Sequence, residues 1–531
     1  MRMLPAAHLP LKNRRGTPIR ALNKGRPAAK VAHFSAPLKG LSRYAELGEA
    51  DPLLASILTN WVVEDDRITV RPGYKLVADT LAGVPLETLV PYYGEPQALA
   101  AAGGNRLFDL TGTMIGPTAA WGGNDWAWTS FSNLSTTDYT IMVNGVDGVV
   151  SWDGGVLAAS FVREVITVGA ETWILPAKFD KVLSHMNRLW FADSQNLAIY
   201  YLPIQQKAGA VELFPLDVLF KRGGHIVALH TWSIDGGTGL DDALVIFSSN
   251  GEAVIYSGVD PESDFKLVGI FRFDAPMSKN SIINFGGDLY IMISTGLVPM
   301  TTMIRAEVEQ LGKSDLNVMK EFEEVVKNHR DRPGWQVILN QHTNHAICNM
   351  PLGGGKYQQM VRKMPGQVWM KWSNVPARCW GWIDNKLYFA SDDGKIYLGG
   401  TEFLSDNGKP IDADVRFAWS SYKSVAKKSF KMARLYAITD GQPNPFIDVE
   451  VDYDNQPPTN QPEVGLSSAG ADWDTGTWDV DYWSQALQTQ RDWQGVTGLG
   501  RVGAPRIRIS VLDCSYSLTG IDILYELGGV M

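Results

Sequence analysis

The sequence predicts an all-β chain: an irregular β-propeller of five to seven blades followed by a C-terminal antiparallel β-domain. Three observations predict it. A polar turn followed by a short apolar strand recurs seven times, at Asn105, Val149, Asn187, Ala243, Gly287, His345 and Asn385, in steps of 44, 38, 56, 44, 58 and 40 residues. Several strands per unit at such a period mark a propeller, because one small sheet cannot bury both its faces and radial stacking lets neighbours cover them. Some units spell out their hairpin. Leu387-Tyr-Phe-Ala, Ser391-Asp-Asp-Gly394 and Lys395-Ile-Tyr-Leu-Gly399 read as strand, Asp-Gly turn and strand, and Val245–Phe247, Ser248–Gly251 and Ala253–Tyr256 repeat the arrangement. Beyond Gly400 the repeat stops, and Val415–Trp419, Arg434–Ile438, Phe446–Tyr453, Arg506–Val511 and Ile521–Glu526 alternate cleanly, as strands with one buried face do.

The head, residues 1–45, carries ten basic residues and no acid. Removing those ten charges from the chain's net −9 leaves −19 on the rest. Pro5, Pro10, Pro18, Pro27 and Pro37 prevent a continuous helix, so the head reads as an extended basic arm. Three roles stay open for it: a mobile terminus, a clasp on an acidic protein surface or nucleic acid, and an organelle transit peptide. For a clasp, the partner-binding residues are Arg14, Arg15, Arg20, Lys24, Arg26 and Lys30. The arm lacks an apolar stretch of the secretory kind.

Residues 46–405 form the propeller, with its strands from about residue 65 and a helical insertion near 314–330. Ser314 can cap the segment Leu316–His329, where Met319, Phe322, Val325 and Val326 share one face and Glu321, Glu323, Glu324 and Lys327 another. A second, weaker helix is expected over Asp51–Asn60, with Pro52 in its first turn. Residues 406–531 form the closing β-domain, which contains an acidic, Trp-rich loop. Trp473, Trp478 and Trp483 recur every five residues, a period of neither helix nor strand. Carboxylates cluster there without EF-hand spacing, so the loop reads as structural rather than as a calcium site.

Most chemical motifs fail on context. Gly498-Leu-Gly500-Arg-Val-Gly503 matches the dinucleotide glycine pattern, yet Ala504-Pro505 and a strand follow it where a helix N-terminus is required, so a flexible turn is expected. His342, His345 and Cys348 stand three apart on a strand, which sends alternate members to opposite faces and disfavours zinc. Neither a nucleophile elbow nor a phosphate-cradling loop occurs. Three separated cysteines (Cys348, Cys379, Cys514) exclude a disulfide framework, and no apolar run reaches the ~18 residues of a membrane span. No cofactor or metal is expected. The enzymatic rival is a propeller glycoside hydrolase. Its repeated Ser-x-Asp-x-Gly turn is half matched at Ser151-Trp-Asp153-Gly-Gly155, and at Ser391-Asp-Asp393-Gly394 the glycine comes one residue early.

Several local texts, in their order along the chain, resemble the tail nozzle (tail hub) proteins of short-tailed bacteriophages. They are Phe34-Ser-Ala-Pro-Leu-Lys-Gly40, Ala50-Asp-Pro52, Thr59-Asn-Trp61 and Thr69-Val-Arg-Pro-Gly-Tyr74 near the start. Val449–Asp454, the Trp473–Trp483 loop, Trp493-Gln-Gly-Val-Thr-Gly498 and Tyr525–Met531 stand near the end. The resemblance covers residues 34–531, the middle in style more than in letter. It implies a non-enzymatic virion component, assembled in the bacterial host cytoplasm as a six-copy ring below portal and adaptor proteins. Such a ring retains packaged double-stranded DNA, conducts it during ejection without reading its sequence, and docks fibres or spikes. A body at −19 agrees, since each phosphate neutralised by Lys or Arg would strengthen attachment in a duct that must let DNA slide. The alternative is a propeller-type glycoside hydrolase or carbohydrate-binding protein.

Overall fold

In a computed structural model the chain is described over residues 29–43, 51–81, 83–133, 137–168, 178–235, 240–305, 316–400, 402–454, 463–467 and 488–528. Strict alternation of apolar side chains builds seven small sheets, and each of the seven sequence repeats falls in a different one. The first four blades span Leu86–Ile115, Ala127–Arg163, Ile166–Pro215 and Ile226–Arg272; the fifth, Ile282–Pro299, has three strands. The sixth begins with Gln336–Asn340, His345–Gly353, Lys356–Lys363 and Val368–Ser373. The seventh takes Cys379–Ile383, Lys386–Ala390 and Lys395–Gly399 from late in the chain and its outer strand, Tyr74–Asp79, from before the first blade. That long-range pairing closes the ring.

Successive side chains on a strand point to opposite faces, so each blade feeds two cores. In the fourth, Ala243, Val245 and Phe247 pack toward the fifth blade, whereas Leu244 and Ile246 pack toward the third. Separate apolar clusters join blades one to two, two to three and three to four, and another joins seven back to one through Ala78, Leu89, Cys379 and Ile396. Hydrophobic burial between neighbours is therefore what holds the ring shut.

The expected division near residue 405 does not separate the sheets. The outer strand of the sixth blade meets Leu54–Thr59, which pairs with Ile411–Phe417, which pairs with Gly503–Val511, in one eleven-stranded sheet. A second sheet joins Lys428–Thr439, Tyr516–Leu527 and the hairpin Trp61–Val63/Ile68–Val70. One core cluster runs through blades six and seven, residues 34–70 and the C-terminal strands. The propeller and closing domain are thus welded along one blade.

Other expectations need correction. Leu54–Thr59 is a strand, not a helix. Asp51 and Pro52 occupy a turn in which the Leu53 amide donates to the Asp51 carboxylate, and pairing with Ile411–Phe417 overrides the local signal. The helical insertion is Met319–His329, preceded by Val318 without a side-chain cap; Ser314 lies outside the described residues, and a further helix, Met300–Arg305, was not expected. Phe322, Val325 and Val326 are buried as anticipated, but so is Glu321. Its carboxylate lies 2.6 Å from Arg43 Nε in an ion pair and accepts from Lys371 Nζ (3.2 Å). The glycine pattern is tighter than a flexible turn: Gly498 and Gly500 lie within Trp493–Gly500, Gly503 opens the next strand, and a Cβ on Gly503 would stand 2.6 Å from Phe430. The Trp473–Trp483 loop lies outside the described residues.

Candidate functional site

Of the six basic residues assigned to partner binding, Arg14, Arg15, Arg20, Lys24 and Arg26 lie outside the described residues. Lys30 is exposed on the strand Ala29–Ser35, opposite Tyr525. Residues 29–43 of the head are built into the fold. Ala29–Ser35 pairs along its length with Tyr516–Leu527, Phe34 packs edge-on to Tyr422, and Gly40-Leu41 pairs with Leu54-Ala55. His33 Nδ1 lies 2.8 Å from Asp522, which also accepts from Arg434 (2.6 Å) and from the Tyr436 hydroxyl (2.7 Å). Those bonds outweigh burial and hold the Asp522 carboxyl below the usual carboxylate range.

Two of the texts that carry the resemblance near the start, Thr59-Asn-Trp61 and Thr69-Val-Arg-Pro-Gly-Tyr74, converge on one buried hub. The Arg71 guanidinium is 1% exposed and forms a two-pronged bridge to Asp406 at 2.8 and 2.6 Å. Its Nε donates to Asn60 Oδ1 (3.0 Å), and its remaining donors reach the carbonyls of Pro72 and Ser373. Asn60, at φ 61°, also donates to the Asp412 carbonyl, while Tyr74 packs edge-on against Phe389 and Tyr397 of the seventh blade. A Cβ on Gly73 would sit 2.0 Å from the Ser405 carbonyl oxygen, so only glycine fits there. Asn-Trp and Arg-Pro-Gly-Tyr therefore join blades six and seven to the closing domain.

The propeller axis is a cavity of about 420 Å³ lined by the innermost strand of each of the seven blades. At one place Lys279, before the fifth blade, reaches Asp125, before the second, at 3.1 Å. A duplex cannot pass there, since its major groove alone is about 12 Å wide. Sequence reading missed this cavity's aromatic lining: Tyr93, Trp128 and Trp382 look like ordinary strand residues until seven distant strands meet.

A second cavity, about 640 Å³, lies between the Trp61–Val70 hairpin, blades six and seven, and Val511–Ser515. Trp372, Trp380 and Phe389 line it, and the buried His345 Nε2, Thr343 Oγ1 and both indole nitrogens have no partner among the described residues. It is polar and roomy enough for ordered water. Burial holds His345 neutral, down at about 4, and pushes the Cys379 and Cys514 thiols up to about 12 and about 11. These cysteines are inert packing groups, not nucleophiles. His345 and Cys348 share a strand three residues apart, with Cys348 in the core, and His342 lies tilted against Trp382; they do not converge. Ser391 and Asp393 bond each other, while Thr80 Oγ1 donates to the Gly394 carbonyl, so that half-matched turn locks the ring-closing strand.

No family model and no curated protein sequence matches the chain. Among solved structures it is similar to the extracellular domain of a hybrid two-component system from B. thetaiotaomicron (12% identity, TM-score 0.40, covering 67% of this chain and 44% of that one). It is also similar to that of a one-component system from the same organism (10%, 0.41, 71% and 48%) and to YCF48 from Cyanidioschyzon merolae (12%, 0.36, 62% and 99%). The chain spans about half the length of the two extracellular domains or less. Among the described residues no helix is long and apolar enough to cross a membrane.

Proposed function

We propose that this protein is a structural component of a short-tailed phage tail: a nozzle that forms a ring below portal and adaptor, retains and conducts DNA, and docks fibres or spikes. The observation that carries this reading is the hub. The letters that resemble nozzle proteins do mechanical work, with Asn60, Arg71, Gly73 and Tyr74 tying the ring-closing strand to the β-domain. A text that specifies rigidity rather than chemistry suits a part that bears load.

Charge and surface add support. The body at −19 repels a polyanion, and an axial cavity of about 420 Å³ means that a DNA duct would have to run between copies. The outermost strand of the fourth blade, Lys266–Arg272, leaves Leu267, Val268 and Ile270 exposed on an edge that is unpaired among the described residues, a surface that a neighbouring copy can cover. The glycosidase reading is less well served. Its chemistry needs two carboxyl groups about 5–9.5 Å apart. The axial cavity is lined by one, Glu87, which faces Arg378 at 3.4 Å.

Mixing purified protein with portal–adaptor assemblies tests the proposal. Ring-sized complexes that Val268→Asp disperses would support it. A stable monomer that ignores those assemblies, or turnover of a glycoside abolished by one carboxylate change, would overturn it.

A further inference from the structure

The axial cavity has two unlike halves. Blades seven, one and two supply a contiguous aromatic arc: the Tyr93 ring lies 6.2 Å from Trp128, and its hydroxyl donates to the Trp382 carbonyl at 3.0 Å. Tyr93 is 44% exposed, and both indoles are partly exposed, so the rings are not consumed by the core. Across the axis, blades five and six supply the carboxamides of Asn280, Asn284 and Gln341. All three are exposed, and none has a side-chain hydrogen bond among the described residues.

Charge narrows the ligand. Every ion on the wall is already paired: Lys181 with Asp180 at 2.7 Å, Lys279 with Asp125 at 3.1 Å, and Glu87 with Arg378 at 3.4 Å. His230 is kept neutral by burial. What remains among the described residues is aromatic faces opposite free amides, with no spare cation to receive a phosphate or carboxylate. Aromatic faces attract the slightly positive C–H face of a sugar ring, while each amide offers both a donor and an acceptor to neighbouring hydroxyls. The volume falls in the range of small-ligand pockets.

We propose that the axial cavity binds a neutral saccharide, with Trp128, Tyr93 and Trp382 as its platform and Asn284 and Gln341 as its hydroxyl readers. This does not depend on the tail assignment. Stacked bases would also suit the rings, but a nucleotide brings a phosphate that the wall does not meet.

The test uses the full chain and a panel of neutral oligosaccharides from glucans, galactans and mannans, read by saturation-transfer NMR, calorimetry and tryptophan fluorescence. At least one neutral sugar should bind saturably, and Trp382→Ala should weaken it about tenfold. The double variant Asn284→Ala, Gln341→Ala should weaken it similarly with an unchanged circular dichroism spectrum; its exposed side chains keep the test valid should Trp382→Ala unfold. Three results would overturn the proposal: no saturable binding across the panel, affinity unchanged in the double variant, or oligo(dT) preferred over every sugar.

Discussion

Replacing Arg71 by alanine would strand the Asp406 carboxylate, whose side chain is 6% exposed, without the guanidinium that donates to both its oxygens, and would leave Asn60 Oδ1 only the Ser373 amide as donor. Removing one partner of a buried ion pair costs about 3–5 kcal/mol, most of it the penalty of leaving the other charge unpaired. Burial already pushes the Asp406 carboxyl upward, with Arg71 pulling it back. Without Arg71 the carboxyl takes up a proton more readily, so acid partly relieves the defect. Guanidinium denaturation followed by tryptophan fluorescence should therefore show a larger loss at pH 8 than at pH 5. The double change Arg71→Met, Asp406→Leu leaves no stranded charge and should recover most of the loss, giving a coupling well above 1 kcal/mol. A cost below about 1 kcal/mol for Arg71→Ala, or a double variant as unstable as the two singles combined, would refute the hub's role.

Gly73→Ala forces a methyl group into the Ser405 backbone and should lower the denaturation midpoint by the equivalent of about 1–3 kcal/mol, whereas alanine at Gly495, where nothing lies within reach, serves as a control for packing. Deleting residues 1–28 should leave the unfolding midpoint unchanged and weaken assembly with partner rings. Deleting 1–35 should also destabilise the chain, since it strips a paired strand and the His33–Asp522 contact. Stability should fall as pH drops from about 6.5 toward 4: buried His185 and His345 are held neutral at about 4 in the folded chain but titrate near 6.5 when unfolded, so the unfolded state binds more protons. Each is worth on the order of 3 kcal/mol at the acid end, and His345→Gln should flatten the profile in a pH series of thermal melts.

The blades were legible because their signal is local. Period-two alternation and an Asp-Gly turn fit within a dozen residues, and each of the seven repeats marks a separate blade. What connects distant residues was not legible. Tyr74–Asp79 looks like the start of the first blade, yet it completes the seventh, opposite a strand more than 300 residues away. Asp51-Pro52 imitates a helix start, while the strand that decides the matter, Ile411–Phe417, lies some 350 residues on. Glu321 sits on the polar side of its helix by periodicity and is buried only because Arg43 and Lys371 converge on it. The axial cavity obeys the same limit. Nothing in the neighbourhood of Trp128 or Trp382 announces that seven innermost strands will bring them to a shared axis.

A density map of the intact particle, resolved well enough to trace seven-bladed propellers, tests the central claim most directly. The account predicts a ring of this chain beneath the portal and adaptor, with the duct between copies and the basic arm against the adaptor. Finding the chain singly, outside the exit path, or absent from the particle would contradict it.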